Sequence, residues 1–214
     1  MEPSKRSEVR RLPERGDYDP QTINSILDEA LICHVGFVAD EGYPVVIPTI
    51  HARSGGTLYL HGSPASRMLR SVKNGAEVCV TVTIVDGLVL ARSVFHHSMN
   101  YRSVVIFGRP REVDDPDEKM RALEAVTEHV AHGRWADARL PNDLEFKGTT
   151  VLAIAIDETS AKIRTGPPGD DDEDYELPIW AGVVPVATTF GTAIEDPALR
   201  DGIEAPGYVT DYRR

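Results

Sequence analysis

The sequence predicts a mainly β protein with peripheral helices, its strands antiparallel and folded into a small closed or partly closed barrel. Three observations predict it. Apolar, β-branched runs such as ICHVGFVA (32–39), VVIPTIHAR (45–53) and EVCVTVTIVDGLVLARS (77–93) follow one another across short Gly, Pro and Asp turns, the pattern of hairpin succession. The helical stretches are few, so no strand–helix–strand alternation builds a parallel sheet. No GxGxxG follows a strand and no P-loop motif is present, which argues against the dinucleotide-binding and P-loop folds. Closing the sheet on itself satisfies its edges best.

Each element has a local reason. Residues 1–16 are rich in Arg, Glu and Pro and read as a flexible arm. Asp19-Pro20 is a helix start, and Ile23, Ile26, Leu27, Ala30 and Leu31 share one face, so 20–31 reads as an amphipathic helix. Strand 32–39 turns through DEGYP (40–44) into strand 45–53. Pro48 removes a backbone donor there, which suits an edge, a bulge or a ligand-facing position. SGG (54–56) returns the chain into strand 57–62. A helix over 63–74 follows, capped by Ser63, with Pro64 in its first turn and Asn74 and Gly75 as its stop. The run 77–93 is a bent strand or a hairpin about Asp86-Gly87. Strand 101–113 leads to Asp115-Pro116, which opens a helix over 116–132 ended by Gly133. A helical turn near 142–146 precedes strand 149–166. PPGDDDEDYELP (167–178) is an acidic loop, and PIWAGVVPV (178–186) runs into a mixed tail. The chain divides into an arm (1–16), one domain (17–190) and a tail (191–214).

The 214 residues are 41% hydrophobic, enough for a packed core, and carry a formal net charge of −11. Such a chain has no basic field to draw in nucleic acid or an anionic membrane. A small anionic ligand in a local basic pocket stays compatible with it. No apolar run reaches about 18 residues, so no membrane span is expected, and the charged first residues do not read as a signal peptide. Cys33 and Cys79 lie in apolar runs and read as buried thiols of a cytoplasmic protein.

The strand-to-helix corner LYLHGSPASRMLR (58–70) is the first candidate site. Unpaired first-turn amides, the Ser63 and Ser66 hydroxyls and the Arg67 guanidinium make a phosphate cradle, with His61 and Gly62 just before it. A capped surface helix with a solvated Arg is the plainer alternative. HHSMNYRS (96–103) is the second: His96, His97, Asn100, Tyr101 and Arg102 cluster between apolar strands, as a pocket mouth or a solvated turn. The histidines show no HxH, HExxH or CxxC spacing, so no metal site is expected; haem ligation by one of His34, His51, His61, His96 and His97 is a separate option. His96 and His97, read as strand neighbours, point to opposite faces. Trp180 lies between two prolines, over a pocket or sealing the core. No hydrolase triad emerges, and DDDED (170–174) reads as a solvated loop.

Taken in order, the N-terminal helix before ICHVGFVADEGYPVVIPTIHAR, then LYLHGSPASRMLR, SMNYRSVVIFGRPREV and LPIWAGVVP resemble the flavin-binding split-barrel proteins related to pyridoxamine 5'-phosphate oxidase. The branch of nitroimidazole-resistance-type proteins is the most similar in pattern, over residues 15–190. The resemblance implies an antiparallel, Greek-key-like FMN-binding split β-barrel that forms a homodimer, with FMN between two barrels. By position, Val46, Ile47, Pro48 and Thr49 pass along the flavin ring. His61 and Gly62 lie beside it, His61 being the one candidate for a catalytic group. Ser66 and Arg67 hold the phosphate; Asn100, Tyr101, Arg102 and Ser103 reach the cofactor, from the partner subunit in one arrangement; and Trp180 packs near it. A second basic residue expected after Arg67 is Met68 here, and the arginine-rich signature of the true oxidases is missing after Trp180, so vitamin B6 oxidation is not expected. The function implied is an FMN-dependent oxidoreductase reducing a small organic substrate, nitro-aromatic or quinone-like. The alternative is a protein that binds and sequesters flavin, haem or another tetrapyrrole without turnover. F420 is a further cofactor of the superfamily.

Overall fold

A computed structural model describes residues 2–73 and 75–213. In chain order its strands are β1 (Gly16–Asp17), β2 (Ile32–Val38), β3 (Pro44–Ser54), β4 (Thr57–Gly62), β5 (Val78–Leu90), β6 (Ser98–Gly108), β7 (Arg111–Glu112), β8 (Thr150–Ala155), β9 (Thr159–Arg164) and β10 (Gly182–Pro185). Its α-helices are α1 (Pro20–Glu29), α2 (Arg67–Lys73), α3 (Pro116–Val130), α4 (Arg134–Asp137), α5 (Asp143–Lys147) and α6 (Gly207–Thr210). Every strand pairing is antiparallel, in the order β1-β9-β6-β5-β2-β3-β4-β8-β7, with β10 added to β5. The barrel is therefore partly closed: β1 and β7 stand at the two ends of the path. No helix among the described residues is long and apolar enough to cross a membrane.

The helix starts are made by the residues that predicted them. Asp19 accepts from the Thr22 amide, and Asp115 from the amides of Asp117 and Glu118, each followed by Pro in the first helical turn. Asn142 and Glu145 form a reciprocal capping box on α5. The main core joins Ile23, Ile26 and Leu27 of α1 and Met68, Leu69 and Val72 of α2 to the inward residues of the sheet, among them Val35, Leu60, Val82, Val104, Ile106 and Leu152. A second cluster (Tyr59, Val113, Ala122, Val151, Ala153) lies under α3.

Several elements differ from their sequence-based expectation, each for a local reason. The helix expected over 63–74 begins at Arg67. Ser63 closes a preceding turn instead, accepting from the Ser66 amide on its carbonyl (2.8 Å) and from the Ala65 amide on its hydroxyl (3.3 Å). Asn74, expected as part of the helix stop, lies outside the described residues; Gly75 has φ +92°, where glycine is favoured. The 77–93 run is one strand, bent by a bulge between Val85 and Gly87. A Cβ on Gly87 would stand 2.8 Å from Val183, so glycine lets β10 dock there. The 101–113 run breaks at Pro110, which has no ladder donor, into β6 and β7. The 149–166 run is two strands that join different neighbours, β8 beside β4 and β9 beside β6. His96 and His97 are not on a strand: Val94–His96 is a 3-10 turn capped by Ser93.

The N-terminal arm lies against the sheet: Arg6 pairs with Glu77 (3.1 Å) and Glu158, and stacks over Phe107. The tail returns to α3 and α4, where Tyr208 Oη donates to Asp137 (3.0 Å) and Tyr212 to the Val130 carbonyl. Cys33 and Cys79 are free thiols on opposite faces of adjacent strands, and burial pushes Cys33 up to about 12.

Leu60 is 1% exposed and Ile194 96%. Leu60→Ala is expected to lower unfolding stability by about 2–5 kcal/mol, against about 0.5 kcal/mol or less for Ile194→Ala. Urea titration of both variants checks the contrast.

Candidate functional site

The site begins where β4 stops pairing with β3. β4 covers β3 only from His51 to Ser54. Over Pro44–Ile50, β3 is paired to β2 alone, so its other edge is open for roughly 20 Å at strand rise. Pro48 sits in this open stretch, as its missing donor suggested. Val45 and Ile47 pack inward on the core, while Val46 is 64% exposed. Pro48, His34, Thr81 and Val105 follow one another across four strands in register, so their side chains share one outer face of the sheet.

The corner after β4 flanks the same edge. Arg67 Nη1 donates to Tyr43 Oη at 3.1 Å, and its guanidinium lies 6.0 Å from the Tyr43 ring centre. Tyr43 immediately precedes β3, so this contact ties the cradle to the start of the open edge. Arg67 is exposed and forms no ion pair among the described residues. Its charge therefore stays available to an anion. Gly62 is close to the helix: a Cβ there would meet Leu69 Cδ1 at 3.2 Å. His61 Nδ1 is buried without a hydrogen-bond partner, and burial lowers its pKa below the ordinary 6.5. The ring is a neutral imidazole with an unsatisfied nitrogen, a group that a bound ligand would relieve. The chemistry assembled here is an apolar, backbone-lined edge ending in a cationic corner. It suits a flat ring carrying an anionic chain.

Val46–Thr49, His61, Gly62, Ser66 and Arg67 thus fall around one edge. Asn100–Ser103 do not join them. β6 is three strands from β3, roughly 14 Å at sheet spacing. Arg102 is committed to Asp86 (2.7 Å) and Glu29, carboxylates that raise its pKa. Asn100 donates to the Gly166 carbonyl (3.1 Å) and accepts from Arg164. Ser103 donates to the Lys162 carbonyl (3.2 Å), and Tyr101 is half-buried. Trp180 is 67% exposed and lies over Gly182, two residues before β10 begins to pair with β5. Met68 is buried in the core, so position 68 faces away from any anion. Tyr43 and Arg70 were missed by sequence reasoning. Arg70 is exposed three residues after Arg67, a spacing that places both on one helix face; Tyr43 carried no local signal. Elsewhere, His96, Asp171 and Asp174 bring ligand atoms within 4.8 Å of one another at the surface.

The sequence profile of the pyridoxamine 5'-phosphate oxidase family matches residues 19–163. No curated protein matches. Among solved structures, a flavocytochrome, Anf3, from Azotobacter vinelandii is 36% identical with a TM-score of 0.93, covering 99% of this chain and 98% of its own. An FAD- and haem-binding protein from Mycobacterium smegmatis is 36% identical with a TM-score of 0.88, covering 92% and 96%. A protein described as conferring 5-nitroimidazole antibiotic resistance, from Bacteroides thetaiotaomicron VPI-5482, is 27% identical with a TM-score of 0.59, covering 69% and 86%.

With its folded pKa lowered, His61 is expected to titrate below 6.5 by NMR of its ring. The unfolded chain then takes up its proton first as pH falls below 6.5, so His61 subtracts stability from there down through its folded pKa. A midpoint at or above the ordinary value would show that the ring is not desolvated.

Proposed function

Because the chain belongs to the pyridoxamine 5'-phosphate oxidase family, whose fold is of the flavin-binding type, we propose that it is a flavocytochrome: a redox protein that binds both a flavin and haem. The observation that carries this reading is the reach of the likeness. The family profile ends at residue 163. The similarity to the flavocytochrome and to the FAD- and haem-binding protein runs through 99% and 92% of the chain. The nitroimidazole-resistance protein matches only 69%. The long-range likeness thus includes chain that a flavin-only split barrel does not need.

In this reading the open edge and its corner receive the flavin. Arg67 and Ser66 hold the phosphate next to the ribityl chain, which FMN and FAD share, with Arg70 adding charge. The FAD-binding relative favours FAD over FMN. The backbone of Val46–Thr49 meets the polar rim of the ring, and Pro48 keeps the edge from pairing with another strand. The neutral His61 ring lies at the corner and offers its buried Nδ1 to the ligand. A bound flavin supplies hydride or single-electron transfer and a bound haem a one-electron couple. The chain's part is to bind, orient and exclude water.

A homodimer completes the reading. The outer sheet face exposes Ile32, Val38 and Val46 around Pro48, an apolar surface that a second copy would cover. That copy is also the natural source of Asn100–Ser103 or Trp180 contacts, since the same chain's own copies lie away from the corner. A second reading, turnover of a small nitro-aromatic or quinone-like substrate at the flavin, is favoured by the 27% identical resistance protein. It is compatible with the first, and we place it ahead of sequestration without turnover.

Purified protein is expected to show both a flavin band and, after haemin addition, a Soret band, and chromatography of the released flavin to identify FAD. A colourless protein that takes up neither would overturn the reading; bleaching by NAD(P)H with reoxidation by a nitro-aromatic would support turnover. Arg67→Ala is expected to weaken flavin binding by about 1.5–3 kcal/mol, roughly 10- to 150-fold in Kd. Unchanged affinity would show that the phosphate lies elsewhere.

A further inference from the structure

The seven histidines differ in what their rings already do. His51 and His129 are spent inside the fold: Nε2 of each meets a backbone carbonyl, Leu27 and Ala30, at 2.9 Å. His61 belongs to the flavin corner. His96 turns to Asp171 at 3.4 Å. His34 is exposed on β2, and no hydrogen bond among the described residues orients its ring. His132 lies 3.1 Å from Glu128, on a cavity of about 1120 Å³ rimmed by Asp28, Glu29, Glu128 and Asp211. Its ring is already turned to the Glu128 carboxylate.

His97 is different. It is exposed, and its Nδ1 lies 3.0 Å from the Ser93 carbonyl. A carbonyl only accepts, so the ring proton sits on Nδ1, and the Nε2 lone pair has no protein partner among the described residues. This is the state in which imidazole ligates a metal, with the other nitrogen held by a backbone carbonyl. Ser93 is itself fixed. Its amide donates to the buried Asp170 carboxylate (3.1 Å), and its hydroxyl accepts from the Phe95 amide (3.3 Å).

On one side lies the acidic cluster of His96, Asp171 and Asp174; on the other, apolar side chains are exposed. Val94 and Phe95 are each 86% exposed. Val184, Leu88 and Met99 are register partners across β10, β5 and β6, and all three are exposed. Partners in register share a face, and Trp180 lies on that face, above the Cα of Gly182. An exposed apolar surface of this kind marks a ligand or partner site, and a flat porphyrin is the ligand that an adjacent, oriented imidazole selects.

From this geometry we infer that His97 would ligate the iron of a haem through Nε2, with Leu88, Met99, Val184 and Phe95 as its apolar contacts. The inference rests on the flavocytochrome reading. It is tested by titrating the full-length wild type and His97→Ala with haemin, following the Soret band while the flavin band reports the fold. The wild type is expected to bind. His97→Ala is expected to lose affinity by more than roughly tenfold, with its flavin band kept, and added imidazole to restore the wild-type Soret position. A wild type that binds haemin beside a His97→Ala variant with the same Soret band and affinity would overturn the ligand assignment and leave the flavocytochrome reading standing. A wild type that takes up no haemin would overturn both. Should His97→Ala misfold, His97→Cys provides the second readout: a Soret band moved to a thiolate-ligated position supports the assignment, and an unmoved band rejects it.

Discussion

The last turn of α1 is the point on which the rest of the sheet is hung. Four consecutive residues there each reach a different part of the fold. The Leu27 carbonyl accepts from buried His51 of β3, and the Ala30 carbonyl from His129 of α3. Asp28 takes both arms of Arg53 on β3, at 2.9 and 2.6 Å, and Glu29 takes Arg102 on β6. The two carbonyls are among those a helix end leaves without an internal acceptor role, so histidine supplies what another turn of helix would have. Losing one such buried bond costs roughly 1–3 kcal/mol. With α1 held in this way, Ile23, Ile26 and Leu27 are kept in the main core, and β3 is fixed at the residue where its pairing with β4 begins.

The open edge of β3 begins next to this anchor. His51 is held inward by α1 at the residue where β3 takes up β4; before it, β3 is paired to β2 alone. An unpaired edge is a liability for aggregation. Two prolines, Pro44 and Pro48, and the turn before α2 blunt it here. In the function proposed, the same absence of a neighbouring strand makes room for the flavin, with its phosphate at Arg67. Local cations at Arg67 and Arg70 would suffice in a chain whose formal net charge is −11, because short-range hydrogen bonds to a phosphate outweigh a screened long-range field.

Much of this was legible beforehand. The β-rich class, the antiparallel succession, the Asp19 and Asp115 helix starts and the corner at 60–67 all rest on signals within a few residues of one another. So did Pro48 at an edge. The less legible features depend on distant partners. Nothing near Val151 says that the 149–166 run will serve two sides of the sheet. Nothing near Arg102 announces Glu29, 73 residues away. Tyr43 joins the site only through Arg67, and the His97 ring meets the carbonyl of Ser93, whose amide Asp170 holds.

By itself, then, the sequence determined most of the elements: where α1 and α3 begin, which strand faces are apolar, and which short segment holds two serines and an arginine together. These follow from side-chain period and from bonds closed within one turn of chain. The tertiary structure decided how far each strand pairs and which charges are already spent. It also decided that Asn100–Ser103 stand three strands from the open edge of β3 and four from β4, whose corner they were expected to join. Those choices depend on packing between residues far apart in the chain, where many pairings satisfy the same local pattern and only the shared core selects one.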